Sequence, residues 1–548
     1  MIIERLIGGA GTGKTTMLIK KLNEEIARGV PLPAIGYISF TKAALEVIKS
    51  RSSAIQTSGD YDGSEDSTPW FRTIHSVCYR CLEIDNPRML GSTRADNEWV
   101  ENAVGEPVRF SGSYQEGGSL VYTGSTDAAV ALNLWGCARN TMETLADCHK
   151  RRQQSGQDLR SLTYIQEIVG RYEECKAEDG KIDFTDLLSL FAGVESDLSQ
   201  GAVRVDARGL VPDVRVWFHD ECQDASKLSM EVFKRLLTGE NVEKGVMAGD
   251  PFQNIYDFSG SDHRVFTGLE VASECIMPES FRCGTSILKY GESVLTGSPG
   301  YFKRGISPAP HRGLISNVHT IREALEFIDP REDWLILART NSLVRRIQSV
   351  LRQSGLAWSD IQGQGRRGKQ SRRIATACVA LRQLCNGSSI DGKGWRAITQ
   401  SVMPCCLAEG TKSRHAKIDS VKDLPSVDAA GIGFLGANDK LMGMIKSTYW
   451  AQAFEKGEDR DMAHFVRRWG PEAVMPLKVR VGTIHSVKGG EADNVILLGT
   501  TNRIIDAASE SKEGRGAEQR LAYVGITRAK KQLITVQEPH RPCLPMFA

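Results

Sequence analysis

The chain lacks long apolar runs: none approaches the roughly 18 residues that a membrane-spanning helix needs, so a helical membrane protein is excluded. Its first residues, Met1-Ile2-Ile3-Glu4-Arg5, carry neither an extended apolar stretch nor a small-residue cleavage pattern, so no secretory signal is expected. Cysteine is sparse and odd in number, 13 scattered over 548 residues, which does not read as a disulfide framework. A reduced, cytoplasmic protein is expected. Net charge is nearly absent too: 69 Lys and Arg against 67 Asp and Glu leave +2, which by itself points to no partner. No internal repeat is present. Disorder is also excluded, because 41% of the residues are apolar and 25% charged, enough to bury a sizeable core. A chain of this length makes about three or four domains.

The small net charge conceals an asymmetry. Between Arg339 and Lys422 there are 16 basic and 4 acidic residues, a local excess of +12 that leaves −10 for the rest. The densest part holds Arg366, Arg367, Lys369, Arg372 and Arg373 among glycines, and is expected to be flexible. Such a patch attracts phosphates at low salt; a solvated basic loop with no specific partner is the alternative.

The opening reads as strand, glycine-rich loop and helix: Ile2 to Ile7, Gly8 to Gly13, then Lys14 to Arg28 ended by Gly29. Apolar strands are predicted at residues 34–40, 214–219 and 246–248, each followed by polar or glycine-bearing residues. A second set is predicted at 334–338, 479–483, 494–499 and 533–537. Two α/β sheets follow. Two stretches interrupt the rhythm. Residues 83–174 are strand-like around Ser111 to Thr126 and helical from Asp127, and residues 357–474 carry the basic patch. Both read as insertions. The segment from Thr57 to Pro69 mimics part of a calcium loop at Asp60, Asp62, Ser64 and Asp66. Glu65 replaces the turn glycine and Phe71 the closing glutamate, so a solvated loop is expected.

Gly8-Gly9-Ala10-Gly11-Thr12-Gly13-Lys14-Thr15, followed by Thr16, fits G-x-x-x-x-G-K-[ST] between a strand and a helix. Its glycines let backbone N–H groups point at phosphate oxygens, and the helix N-terminus adds its dipole. Lys14 is placed to reach the β- and γ-phosphates and Thr15 to bind Mg²⁺. The sequence Asp220-Glu221-Cys222-Gln223-Asp224 directly follows a predicted strand. A carboxylate there suits Mg²⁺, which is the role expected of Asp220. Glu221 beside it suits the orientation and deprotonation of water, which favours hydrolysis over transfer to another substrate. The spacing His75-x-x-Cys78-x-x-Cys81 is too even on a helix for zinc and has no second ligand pair, so buried thiols are expected.

With the phosphate loop and Asp220 to Asp224 in place, the chain resembles superfamily 1 DNA helicases of the UvrD/Rep/PcrA type. The likeness recurs in order along nearly the whole sequence. Ile38 to Ala44 resembles motif Ia, and Thr73-Ile74-His75-Ser76 motif Ib. Asp183 to Leu188 is similar to the segment that precedes the DExQD motif. Gly249 to Gly260, in its Q-x-I-Y-x-F-x-G form, is similar to motif III on the UvrD side. Ser280-Phe281-Arg282 resembles motif IV, Thr483 to Asp493 motif V, and Ala522 to Ala529 motif VI.

The resemblance implies a fold of two RecA-like P-loop motor domains with parallel sheets, each with an inserted accessory subdomain. Motor domain 1 would be residues 1–82 and 175–282 around an insertion at 83–174. Motor domain 2 would be residues 283–356 and 475–548 around a basic insertion at 357–474. It implies ATP between the two domains, with Gln253 sensing the γ-phosphate, Arg282 and Arg528 contacting it, Phe281 stacking on adenine and Glu491 binding the ribose. Hydrolysis would then depend on closure, since Arg528 comes from the second domain. Phe40, Tyr256 and Phe258 would meet bases, while Thr41, Thr73, His75, Thr483 and His485 would touch the strand's backbone. The family's glutamine motif upstream of the phosphate loop has no room here, so loosened base selectivity is expected, and the compact start would suit a phage-encoded enzyme. The expected activity is an ATP- and Mg²⁺-dependent single-stranded DNA translocase and helicase moving 3′ to 5′. It is expected to be a monomer acting on single strands and single-strand/duplex junctions, away from membranes, alongside replication or repair proteins. A translocase that displaces proteins with little unwinding, an RNA-tracking enzyme and a non-catalytic scaffold are the rivals.

Overall fold

The computed structural model describes residues 2–59, 61–84, 88–91, 93–110, 122–123, 126–154, 157–361, 366–412, 426–455, 457–470 and 477–546. The chain divides into two compact units, Met1–His311 with Asn502–Val524, and Arg312–Thr501 with Gly525–Phe547.

The first unit is built on a six-stranded parallel sheet. Its strands lie in the order Ser273–Ile276, Ile2–Ile7, Lys244–Gly249, Val216–His219, Ile35–Ile38, Phe71–Arg72. Among the inner strands, Ile35–Ile38 and Val216–His219 are buried along their whole length because helices cover both faces. Leu18, Leu22, Tyr37 and Phe218 pack on one side, and Trp217, Phe233, Leu236 and Met247 on the other. A separate core belongs to the helices Arg94–Val104, Asp127–Thr141, Leu145–Gln154 and Leu162–Glu178, where Trp135, Tyr172 and Val100 are buried. In the strand-like stretch expected from Ser111 to Thr126, Tyr122–Thr123 pairs with Arg109–Phe110. Residues 111–121 and 124–125 lie outside the described residues.

The second unit holds another six-stranded parallel sheet, ordered Leu314–Val318, Ala529–Val536, Ala492–Leu498, Trp334–Ala338, Val479–Thr483, Ser359–Asp360. Its core runs without a break from Ile336, Val481 and Ile496 into the helices Arg366–Cys385, Gly392–Ser401, Asp439–Lys446 and Glu458–Trp469. The fold is therefore α/β, with two P-loop-type parallel sheets.

One expectation is corrected. The basic stretch opens the helix Arg366–Cys385 and is not a flexible loop from Arg366 onward. Buried Ile374, Ala377, Cys378, Leu381 and Leu384 anchor that helix, and Arg, Lys and Gln propagate it towards the N-terminus despite Gly368. The helix Thr285–Leu295, the chain after it as far as His311, and residues 502–524 group with the first unit. Among the described residues, which include every cysteine, there is no disulfide. No group of three or more His, Cys, Asp or Glu among them could hold a metal ion. No described helix is long and apolar enough to cross a membrane.

Candidate nucleotide site and nucleic-acid groove

The phosphate loop leaves the strand Ile2–Ile7 and enters the helix Lys14–Ala27 through two glycines in the left-handed region, Gly11 at φ 71° and Gly13 at φ 78°. Only glycine reaches that conformation without strain, and at Gly11 a Cβ would also collide with the Cβ of Arg282. Lys14 lies back over the loop, its Nζ donating to Gly8 O at 3.0 Å and Gly9 O at 3.3 Å. Thr15 faces the next strand end: its hydroxyl donates to Asp220 Oδ2 at 3.0 Å. Hydroxyl and carboxylate oxygens at this spacing are the hard donors that Mg²⁺ takes, so the donor set fits the ion.

Asp220 follows the strand Val216–His219 and is buried. Burial, with the charge of Glu221, raises its carboxyl to about 6 against the opposing pull of the Thr15 hydroxyl and Lys14. Glu221 takes a left-handed backbone, φ 53°, although it is not glycine. Gln223 holds its carboxylate by donating from Nε2 to Glu221 Oε2 at 2.6 Å. The same Gln223 accepts from Asp250 N at 3.0 Å, and Asp250 accepts from Gln253 Nε2 at 2.8 Å. Glu221 and Gln253 thus hang from one buried polar chain.

The segment expected to carry the adenine and γ-phosphate contacts is fastened to the phosphate loop. Ser280 Oγ donates to Ala10 O at 2.7 Å, and Phe281 N donates to Gly11 O at 2.8 Å. Phe281 presents its ring outward, 70% exposed, beside Gly13. Arg282 is half-buried against the loop.

Phe40 and Tyr256 stack with centroids 5.2 Å apart, and Tyr256 meets Phe258 edge-on at 6.0 Å. Phe258 is 44% exposed. Arg152 Nη2 donates to Phe258 O at 2.5 Å, Asn140 Nδ2 donates to Ser259 O at 3.2 Å, and Arg520 pairs with Asp257. One pocket is lined by Phe40, Thr73, His75 and Tyr256 together with Asp220 and Glu221. Burial pushes the His75 imidazole down to about 4, so it is neutral at ordinary pH. Thr41 caps the helix Lys42–Arg51, accepting from Ala44 N at 3.2 Å.

Within the second unit, Arg528 is buried and donates from Nη1 to Gly490 O at 3.0 Å. Glu491 pairs with Lys530 at 2.6 Å. Thr483 ends its strand and accepts from Ser486 N at 3.2 Å, with His485 in the following turn.

The geometry therefore gathers Lys14, Thr15, Asp220, Glu221, Gln253, Phe281 and Arg282 around the loop, and Phe40, Thr73, His75, Tyr256 and Phe258 beside it. Chain comparison gives the family. The UvrD/REP helicase N-terminal domain matches residues 5–272, and the UvrD-like helicase C-terminal domain matches residues 439–538. The chain belongs to the UvrD/Rep helicase family. It is similar to the ATP-dependent DNA helicase UvrD2 of Mycobacterium tuberculosis, 23% identical over 96% of this chain and 75% of that one. It is also similar to the ATP-dependent DNA helicase PcrA of Staphylococcus aureus, 21% identical over 66% of this chain and 49% of the relative. The protein is accordingly an enzyme, a helicase of the UvrD/Rep/PcrA type.

Several site residues escape sequence reasoning. Gln223 stands inside the DECQD run but gives no sign of holding both Glu221 and Asp250. Arg304, which pairs with Asp250, lies in no motif and is separated from it by 54 positions. Arg152 comes from an insertion whose sequence resembles nothing in the motor motifs.

Proposed function

We propose that this helicase couples hydrolysis of ATP to 3′-to-5′ movement along one strand of DNA and so unwinds duplex. The observation that carries the reading is the shared pocket: Asp220 and Glu221 border the same space as Phe40, Thr73, His75 and Tyr256. A shift of the stacked rings is thereby felt at the hydrolytic carboxylates. The relatives' activity on DNA with ATP supports the choice of track and fuel; the direction rests on the family likeness.

Lys14 and the phosphate loop, residues 8–16, hold the β- and γ-phosphates, Phe281 stacks on the base, and Glu491 binds the ribose. Thr15 and Asp220 hold Mg²⁺, which when bound supplies positive charge to the phosphate oxygens. Glu221 orients and deprotonates the attacking water, Gln253 senses the γ-phosphate, and Arg282 and Arg528 offset the charge of the transition state. Phe40, Tyr256 and Phe258 grip bases without reading their sequence, while Thr41, Thr73, His75, Thr483 and His485 touch the strand's backbone. Residues 83–174 and 357–474 serve as accessory subdomains. The enzyme works as a monomer on single strands and junctions in the cytoplasm.

The test is ATPase measured side by side with no nucleic acid, single-stranded DNA and single-stranded RNA, followed by unwinding of duplexes with a 3′ or a 5′ tail. Stimulation by DNA and unwinding only from the 3′ tail are expected. Stimulation by RNA alone, unwinding from the 5′ tail, or streptavidin displacement without unwinding would each replace part of the reading.

A further inference from the structure

The most heavily paired buried cation beside the phosphate loop is one that the motif reading passes over. Arg304 has a fully buried side chain. Its guanidinium pairs with Asp250 and Glu292, donates from Nη2 to the Tyr523 hydroxyl at 3.1 Å, and lies over the Phe252 and Tyr523 rings at 4.7 and 5.2 Å. Burial raises the Glu292 carboxyl against the pull of Arg304, while Asp250 and Tyr523 help keep Arg304 charged despite its own burial.

Tyr523 completes the arrangement. Its hydroxyl accepts from Ala10 N at 3.2 Å and from Arg304, and donates to Asp250 Oδ2 at 3.3 Å. A hydroxyl has one proton and two lone pairs, so every hydrogen-bonding capacity of this group is used. The phosphate loop is seated on the pair: a Cβ at Gly9 would meet Tyr523 Oη at 3.3 Å and Arg304 Nη1 at 3.5 Å. Asp250 in turn caps the turn Pro251–Gln253, accepting from Phe252 N at 3.1 Å, and fixes the Gln253 amide. One hydroxyl thus joins the backbone of the loop to the side chain that orients Gln253.

We propose that Arg304 and Tyr523 are positioning residues that lock the phosphate loop, at Ala10, in register with Asp250 and hence with the γ-phosphate sensor Gln253. Neither touches the triphosphate. Each acts by removing freedom between two groups that must meet the same phosphate, which is how a small misplacement becomes a large loss of rate. The inference rests on the nucleotide reading above.

The test uses the full chain and four variants: Tyr523→Phe, Arg304→Lys, Gln253→Ala, and Tyr523→Phe combined with Gln253→Ala. Tyr523→Phe keeps the packing and is expected to melt within about 4 °C of wild type. It should weaken binding of a fluorescent ATP analogue about threefold and lower kcat/KM for ATP with saturating oligo(dT) about tenfold, the scale of losing the one buried hydrogen bond, from Ala10 N, that ties the loop to the hydroxyl. Arg304→Lys keeps the charge but not the fork, and should fall between wild type and Tyr523→Phe. The double variant should turn over within about twofold of Gln253→Ala alone, since Tyr523 acts through that residue. A merely structural role would lower the melting temperature and multiply with Gln253→Ala. Wild-type binding and turnover in Tyr523→Phe, or multiplicative losses, overturn the inference. A wild type with no DNA-stimulated turnover sinks the functional reading instead, while the binding measurement still judges the loop's register. A wild type that binds no triphosphate overturns both.

Discussion

Glu221 pays in backbone strain for its position, at φ 53° where a non-glycine residue is uncommon. The strand end places its backbone, and Gln223 holds its carboxylate. Gln at 221 can still accept that hydrogen bond through its amide oxygen but cannot take a proton from water. Glu221→Gln should therefore keep ATP and Mg²⁺ affinity while turnover falls about 10²–10⁴-fold. Steady-state ATPase beside equilibrium nucleotide binding checks this, and near wild-type turnover would remove Glu221 from the role. A second expectation concerns acid stability. Burial, then the nearby Arg520 charge, pushes buried His263 down to about 4 from an ordinary 6.5. The unfolded chain takes up that proton first, so stability falls as pH drops through 6.5 and the loss is complete below about 4. The full contribution is on the order of 3 kcal/mol. His263→Gln should flatten the pH dependence of melting across that window; an unchanged acid limb would show that His263 does not titrate there.

Elements were legible where burial imposes a pattern and illegible where it does not. The strands Ile2–Ile7, Trp334–Ala338 and Val479–Thr483 match their predicted limits, because each is paired on both sides within a sheet and sets apolar residues around its few polar ones, Glu4, Arg5, Arg480 and Thr483. The edge strands Ser273–Ile276 and Leu314–Val318 escaped notice: the first is exposed along its whole length, and the second shows no alternation to read. The helix Arg366–Cys385 hid behind its charge, since its apolar anchors begin only at Ile374. The helix Phe184–Ala192 shows the converse, a motif whose physical reason appears only in three dimensions. Asp183 and Asp186 form its capping box and also meet Arg139 and Lys176 from two insertion helices, at 2.8 Å for Arg139–Asp183 and 2.9 Å for Lys176–Asp183. Burial alone would raise the Asp183 carboxyl, but the two cations outweigh it and hold it well below the usual range. Removing one partner of a buried pair strands the other, so Arg139→Leu should cost about 3 kcal/mol. Denaturant unfolding measures it; a loss below about 1 kcal/mol would mean that Lys176 alone satisfies both carboxylates.

For the whole molecule, ordered motifs announced the class of machine, and contacts that no motif encodes tie its parts together. Asp220 and Glu221 could be named from local sequence, as carboxylates next to a strand end, and Gln253 from its likeness to motif III. The supports at Arg304, Gln223 and Arg152 could not, because they act across long separations from positions with no local signature. The same contrast divides the two regions proposed to meet nucleic acid. In the first unit Phe258 is one of three contacting rings, of which Phe40 and Tyr256 line a pocket with Asp220 and Glu221. In the second, Arg366, Arg367, Lys369, Arg372 and Arg373 open a helix outside every motor motif. Ring stacking is short-ranged and nearly independent of salt, whereas charge acts on phosphates at a distance and is screened. Replacing all five basic residues with Gln, which preserves helix propensity, should weaken junction binding and flatten its salt dependence. Maximal ATPase on single strands should then change little. Phe258→Ala should do the reverse: stacking is worth about 1–3 kcal/mol per base, so its loss should uncouple stepping from hydrolysis while the salt slope stays put. Salt-titrated junction affinity measured beside maximal ATPase and unwinding rate decides between them. A five-fold Gln variant that lost maximal ATPase while keeping its salt slope would show that the basic helix belongs to the motor track itself.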